Sequence, residues 1–143
     1  MAMKMNLRPQ TDRSQLTHHQ VQLDIAHRFH AALVARDWSA IRALLTEDAQ
    51  WTLPGDNTIS GTANGAGAVV DRARKIASYG LNFELLYVLV SRDNVALSLH
   101  NTARQGDRVL DEYLATVCRL KDNKIAAIET FLSDVDGMND FFV

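Results

Sequence analysis

The feature that most constrains this chain is a pair of long β-prone runs, Val95–Arg104 and Arg108–Leu120, joined across Gln105-Gly106-Asp107. Two strands of this length with a glycine-containing connection read as an antiparallel hairpin. A hairpin so long must be covered on at least one face. The neighbours supply that cover: Leu81–Val90 ahead of the turn Ser91-Arg92-Asp93-Asn94, and Ile125–Leu132 after the turn Lys121-Asp122-Asn123, extend the pair to a meander. On Arg108–Leu120 both alternations are apolar, with Leu114, Cys118 and Leu120 on one face and Tyr113, Ala115 and Val117 on the other. A sheet with one wet face would alternate apolar and polar. Both faces are therefore expected to be covered, one by helices and the convex one by a second copy of the chain, which predicts a homodimer.

Helices precede the strands. Thr17-His18-His19-Gln20 has capping-box spacing, and Val21, Ile25, Phe29, Ala32 and Leu33 follow at three- and four-residue intervals, predicting a helix from Thr17 to about Ala35. Residues 1–16 are polar, contain Pro9 and show no period, so they read as a flexible arm ahead of one domain over 17–143. Asp37 is placed to cap a second helix with Trp38, Ile41, Leu44 and Leu45 on its buried side. Gln50–Leu53 reads as a short strand ended by Pro54-Gly55. Ala66, Val69, Val70, Ala73, Ile76 and Ala77 mark a third helix between Gly61 and Gly80. Helices first and a meander afterwards indicate the α+β class, with the helices on one side of an antiparallel sheet.

Several functions are excluded by composition. A formal charge of -2 over 143 residues carries no basic footprint for nucleic acid. No apolar run approaches the roughly 18–20 residues of a membrane span, and the first residues lack the apolar core of a secretory signal, so a cytoplasmic protein with no membrane partner is expected. Cys118 is the single cysteine, so no internal disulfide or thiolate cluster forms. Gly65-Ala66-Gly67 has no third glycine at Val70, and His27 and His30 have no accompanying glutamate in a zinc motif, so neither cofactor nor metal is expected.

Phe29-His30-Ala31-Ala32-Leu33 with Arg36-Asp37-Trp38, Ala40 to Ala49, Pro54-Gly55 leading to Gly61, His100 before Arg104 to Arg108, Cys118 to Ile125, and Phe131-Leu132-Ser133-Asp134 stand in an order and spacing that resemble the nuclear transport factor 2-like superfamily, specifically its SnoaL-like branch. The resemblance runs from about Gln20 to the C-terminus. It implies a cone: a cystatin-like α+β barrel in which a strongly curved antiparallel sheet wraps about three N-terminal helices around an apolar cavity, commonly as a dimer through the sheet. The branch holds polyketide cyclases, steroid isomerases, epoxide hydrolases and dehydratases, and fold alone does not choose among them.

Carried over residue by residue, the steroid isomerase tyrosine corresponds to Phe29, the general-base aspartate to Leu53 and the second oxyanion donor to Thr116, which argues against that chemistry. The polyketide cyclase acid also falls on Thr116, while its histidine corresponds to His100. Ser98-Leu99-His100 stands in place of the arginine and aspartate of the epoxide hydrolases. His100 is thus the acid/base candidate, since imidazole titrates near neutral pH, with a histidine satisfied across the sheet as the equal alternative. Glu112 would orient His100 if a three-residue loop joins the two strands, with a solvated strand-end charge as its favoured alternative. A two-residue loop sets His100 against Tyr113 and sends Glu112 to the other face. Asp134 is a third candidate, with turn capping as its alternative. Phe29, Trp51, Leu53, Val69, Leu97, Leu114, Thr116 and Cys118 are expected to line the pocket. The reading is a small apolar or carbonyl-bearing ligand in the cone, with His-based isomerase, cyclase or dehydratase chemistry. Its alternative is a non-catalytic ligand-binding or dimeric assembly module.

Overall fold

The computed structural model describes residues 17–143, together with the bounds of a first helix, α1, over Ala2–Ala35. The arm expected over 1–16 lies outside the described residues. Those bounds take in Thr17–Gln20, so the box there starts no helix. From Val21 on, the expected stripe is the buried one: Ile25, Phe29, Ala32 and Leu33 are all 5% exposed or less. The helix ends in a Schellman arrangement. Asp37 N–H donates to Ala32 O and Arg36 N–H to Leu33 O, with Arg36 itself in the left-handed region at φ 56°. The Arg36 guanidinium holds this corner by donating to Leu33 O, Val34 O and Leu81 O.

Asp37 caps α2 (Trp38–Ala43) by accepting from Ala40 N–H at 3.1 Å. Ile41 is its buried anchor. Leu45 was expected on this helix, but α2 stops after six residues and Leu45 opens β1 (Leu45–Leu53). The reason is a tether to the far end of the chain: Leu44 O accepts from Ile125 N–H at 2.8 Å, which draws the backbone into the sheet. β1 is therefore longer than Gln50–Leu53. Its first half, Thr46-Glu47-Asp48, is mostly exposed and passes an irregularity in the ladder, so it carries no strand alternation.

A short strand, β2 (Gly61–Asn64), folds back on β1 and was not foreseen. α3 (Ala66–Ala77) follows with Ala66, Val69, Val70, Ala73, Ile76 and Ala77 buried. Then come β3 (Asn82–Val90), β4 (Asn94–Gln105), β5 (Arg108–Lys121) and β6 (Lys124–Leu132). A fourth helix, α4 (Val135–Phe141), closes the described chain where only a tail was expected.

The fold is α+β: one curved, unclosed six-stranded sheet in the order β2-β1-β6-β5-β4-β3, with the helices at its concave face. The sheet is antiparallel with one exception. β1 runs parallel to β6, a pairing open to strands far apart in sequence because no tight turn joins them. Irregularities at Leu85/Tyr87 and at Arg119/Leu120 interrupt the β3–β4 and β5–β6 ladders, as bulges do where a sheet bends. No helix among the described residues is long and apolar enough to cross a membrane.

Candidate functional site

The turn between β4 and β5 decides which side chains of β5 share a face with those of β4. Gln105 pairs with Arg108, so the loop has two residues, Gly106 and Asp107, with Gly106 at φ 62° as the first central position of a type II′ turn requires. From there the register is continuous: His100 opposes Tyr113 and Asn101 opposes Glu112. Burial follows with period two. Val95, Leu97, Leu99 and Asn101 face inward, and so do Leu110, Glu112, Thr116 and Cys118. His100 was expected inside the sheet; it lies on the convex face. One residue more in the turn would have set Glu112 opposite His100, on the same face.

The surroundings of His100 do not leave it free for proton transfer. Its ring stacks on Tyr113 with centroids 4.3 Å apart and planes 7° from parallel. Nδ1 lies 3.1 Å from Glu84 Oε1 and Nε2 lies 2.5 Å from Asp111 Oδ1. A neutral imidazole has one N–H, so only the imidazolium can donate to both carboxylates. The hydrogen bonds to Asp111 and then Glu84 accordingly raise its pKa.

Glu112 is inside and 1% exposed, on the opposite face from His100, and the two do not meet. Its Oε1 accepts from Asp134 N–H at 2.7 Å and from Ser133 Oγ at 3.3 Å. Burial pushes its pKa up, and those hydrogen bonds oppose the shift without cancelling it. Asp134 in turn accepts from Gly137 N–H as the cap of α4. The pair ties α4 to β5. Neither carboxylate lines the cavity.

That cavity has a volume of about 40 Å³. Of the residues expected around it, Phe29, Trp51, Leu53, Leu114 and Thr116 are present, whereas Val69, Leu97 and Cys118 are packed into solid core at 0–1% exposure. Burial raises the Cys118 thiol to about 12, which leaves it unreactive. The missed lining residues include Asn101, Thr130, Met138 and Phe142. The sequence signal for Asn101 was a polar residue continuing the apolar alternation of β4; Met138 and Phe142 belong to the unforeseen end of the chain.

Two devices shape the cavity. On the floor, Trp51 Nε1–H donates to Thr130 Oγ1 at 3.0 Å, and Thr130 Oγ1 lies 3.4 Å from Thr116 Oγ1. Arg72 locks the backbone behind Trp51, donating to Trp51 O, Gly61 O and Ser60 O with its guanidinium 5.8 Å above the indole. At the mouth, the 54–60 loop is latched to the C-terminal segment. Asn139 Oδ1 accepts from Asp56 N–H and Asn57 Nδ2, and Phe142 O accepts from Thr58 N–H. A side chain at Gly55, which sits at φ 103°, would meet Asn139 Oδ1 at 2.6 Å. Among the described residues, no charged side chain lines the cavity and no three His, Cys, Asp or Glu residues group to hold a metal ion.

The SnoaL-like domain family matches residues 26–128, which span the end of α1, then α2, α3, the first five strands and the first part of β6. The chain belongs to that family. Among solved structures it is similar to Bal32a from a soil-derived mobile gene cassette, at 25% identity and TM-score 0.84, covering 88% of this chain and 99% of that one. An NTF2-like protein from Burkholderia xenovorans LB400 is similar at 20% identity and TM-score 0.75, covering 87% and 97%. A putative polyketide cyclase from Sinorhizobium meliloti follows at 19% and 0.64, covering 76% and 94%. The last two likenesses show the NTF2-like fold alone. None of the curated proteins matches the sequence.

Proposed function

We propose that this SnoaL-like protein binds a small, mostly apolar molecule in the cavity of its cone, as a homodimer assembled through the convex sheet face. The observation that carries the ligand reading is an unfilled apolar space in an otherwise close-packed interior, at the place where α1, the sheet and the C-terminal segment meet. Interiors pack to crystal-like density, and a space of this kind forfeits contacts unless something fills it. At about 40 Å³ it is well short of the roughly 150 Å³ of an apolar cavity that takes up benzene unaided. A ring-sized ligand enters by displacing Met138, whose three rotatable bonds make it the yielding part of the wall.

Of the two versions of this function, the non-catalytic one is favoured by the outward direction of His100 and the engagement of Glu112 and Asp134 in holding α4. The dimer reading is supported by large apolar side chains on the outer strands: Tyr87, Leu89, Tyr113 and Phe131 are each more than half exposed, a grouping that monomers rarely present to water.

A thermal-shift titration with toluene tests the cavity, and saturable stabilisation is expected. No shift at any soluble concentration removes the ligand reading. Analytical ultracentrifugation at micromolar concentration tests the assembly, with a dimer expected for the native chain and a monomer for Phe131→Glu. A native monomer removes the dimer.

A further inference from the structure

The cavity holds one polar group that the fold does not use. Asn101 is 8% exposed, lines the space, and has a buried amide oxygen that accepts no hydrogen bond among the described residues. Buried acceptors are nearly always paired, because leaving water without a partner is unfavourable.

The rest of the polar lining is satisfied internally. The Trp51 indole N–H can only donate, so the Thr130 oxygen accepts it and the Thr130 hydroxyl is free to face Thr116. Thr116 stands opposite Leu97, four residues along β4 from Asn101, or roughly 13 Å at a strand's rise per residue. The cross-strand neighbour of Asn101 is Glu112, whose Oε1 is occupied by Ser133 and Asp134. Asn101 therefore stands apart from both groups, with Leu99 and Leu114 lining the wall between it and the threonines.

We propose that Asn101 is the polar recognition residue of the cavity and that the ligand is a small alcohol or phenol, its hydroxyl donating to Asn101 Oδ1 and its apolar body filling the space. This rests on the ligand-binding reading above and narrows its chemistry. A plain aldehyde or ketone has no hydrogen to give the open oxygen. A carboxylate or phosphate would sit in an apolar enclosure with no lysine, arginine or histidine among its described lining residues to meet the charge. A hydroxyl is the smallest group that satisfies the amide oxygen and adds no net charge.

Phenol and toluene differ by a hydroxyl against a methyl on the same ring and separate this inference from the parent reading. In calorimetric titrations the ratio of phenol to toluene affinity is expected to fall about tenfold or more from the native protein to Asn101→Leu, the loss of one hydrogen bond to a desolvated acceptor. An unchanged ratio with toluene still bound overturns the role of Asn101 and leaves the cavity reading standing. Binding of neither compound overturns both. If Asn101→Leu does not fold, the native protein still decides through NMR of the Asn101 side-chain amide. A shift with phenol and not with toluene supports the proposal, and equal shifts or none overturn it.

Discussion

Replacing Asn101 by leucine should make the ligand-free protein more stable. The side chain is 92% removed from solvent and its amide oxygen has no partner among the described residues, while its surroundings include Leu99 and Leu114. An unsatisfied buried polar group costs about 1–3 kcal/mol. Leucine has nearly the same shape, so it removes that cost without opening a void. Because a little of the residue still reaches solvent, the lower part of the range applies, and a gain of about 1–2 kcal/mol is expected. For a chain of this length each kcal/mol moves the midpoint by roughly 4 °C, which puts the Tm rise at about 4–8 °C. Asn101→Ala separates the two contributions, since it removes the amide but leaves a larger cavity, and it should fall below Asn101→Leu by about 2–5 kcal/mol. Urea unfolding followed by tryptophan fluorescence, at one protein concentration because assembly shifts apparent stability, measures both. The reasoning is refuted if Asn101→Leu unfolds at lower urea than the native protein with an unchanged slope. That result would mean the amide is already satisfied, as by a trapped water with several polar partners.

Three further outcomes follow from the site. The raised pKa of Glu112 means that its contribution to stability is fully present below roughly pH 4.3 and is lost as pH rises through the higher folded-state value. Glu112→Gln should flatten that part of the stability-against-pH curve, and a steeper curve in the variant contradicts the burial argument. His100 has its pKa raised by two carboxylates, so its contribution is complete below roughly pH 6.5 and declines above, through the folded-state value. His100→Gln should remove that decline while leaving toluene and phenol binding unchanged; loss of binding would return His100 to the cavity. Trp51→Phe deletes the donor to Thr130 along with part of a buried ring, so chemical unfolding should show about 1 kcal/mol for the bond on top of the cavity cost, and a total loss below about 1 kcal/mol means that the indole bond contributes nothing.

The helices that pack on the sheet were legible because their burial follows a simple period: Ile25, Phe29 and Leu33, and likewise Val69, Ala73 and Ile76, are the residues the spacing selects. The long hairpin was legible for the same reason. Which side chains of β5 share a face with those of β4 was not, because that rests on whether Gln105 pairs with Arg108, and a stretch reading Arg-Gln-Gly-Asp-Arg permits either loop length. His100 faces away from the cavity because it falls out of step with Val95, Leu97 and Leu99, and Asn101, in step with them, faces in. β1 and α4 were hidden for other reasons. The mostly exposed run Thr46-Glu47-Asp48 has no alternation to read, and α4 is a helix of seven residues, too short for its buried Met138 and Phe141 to set a period, fixed by the Asp134 cap and the buried Glu112.

The parallel pairing of β1 with β6 also sets an order of events during synthesis. Trp51 must wait for Ile128 before its strand acquires its inner neighbour, and until then β1 and β2 form only a two-stranded ribbon, which is marginal in water. Contacts so distant along the chain close slowly, because the loop entropy is lost before the contact is gained. β6, made after the other five described strands, is therefore the one that joins the two halves of the sheet, and the nascent chain carries an open β1 edge until it arrives.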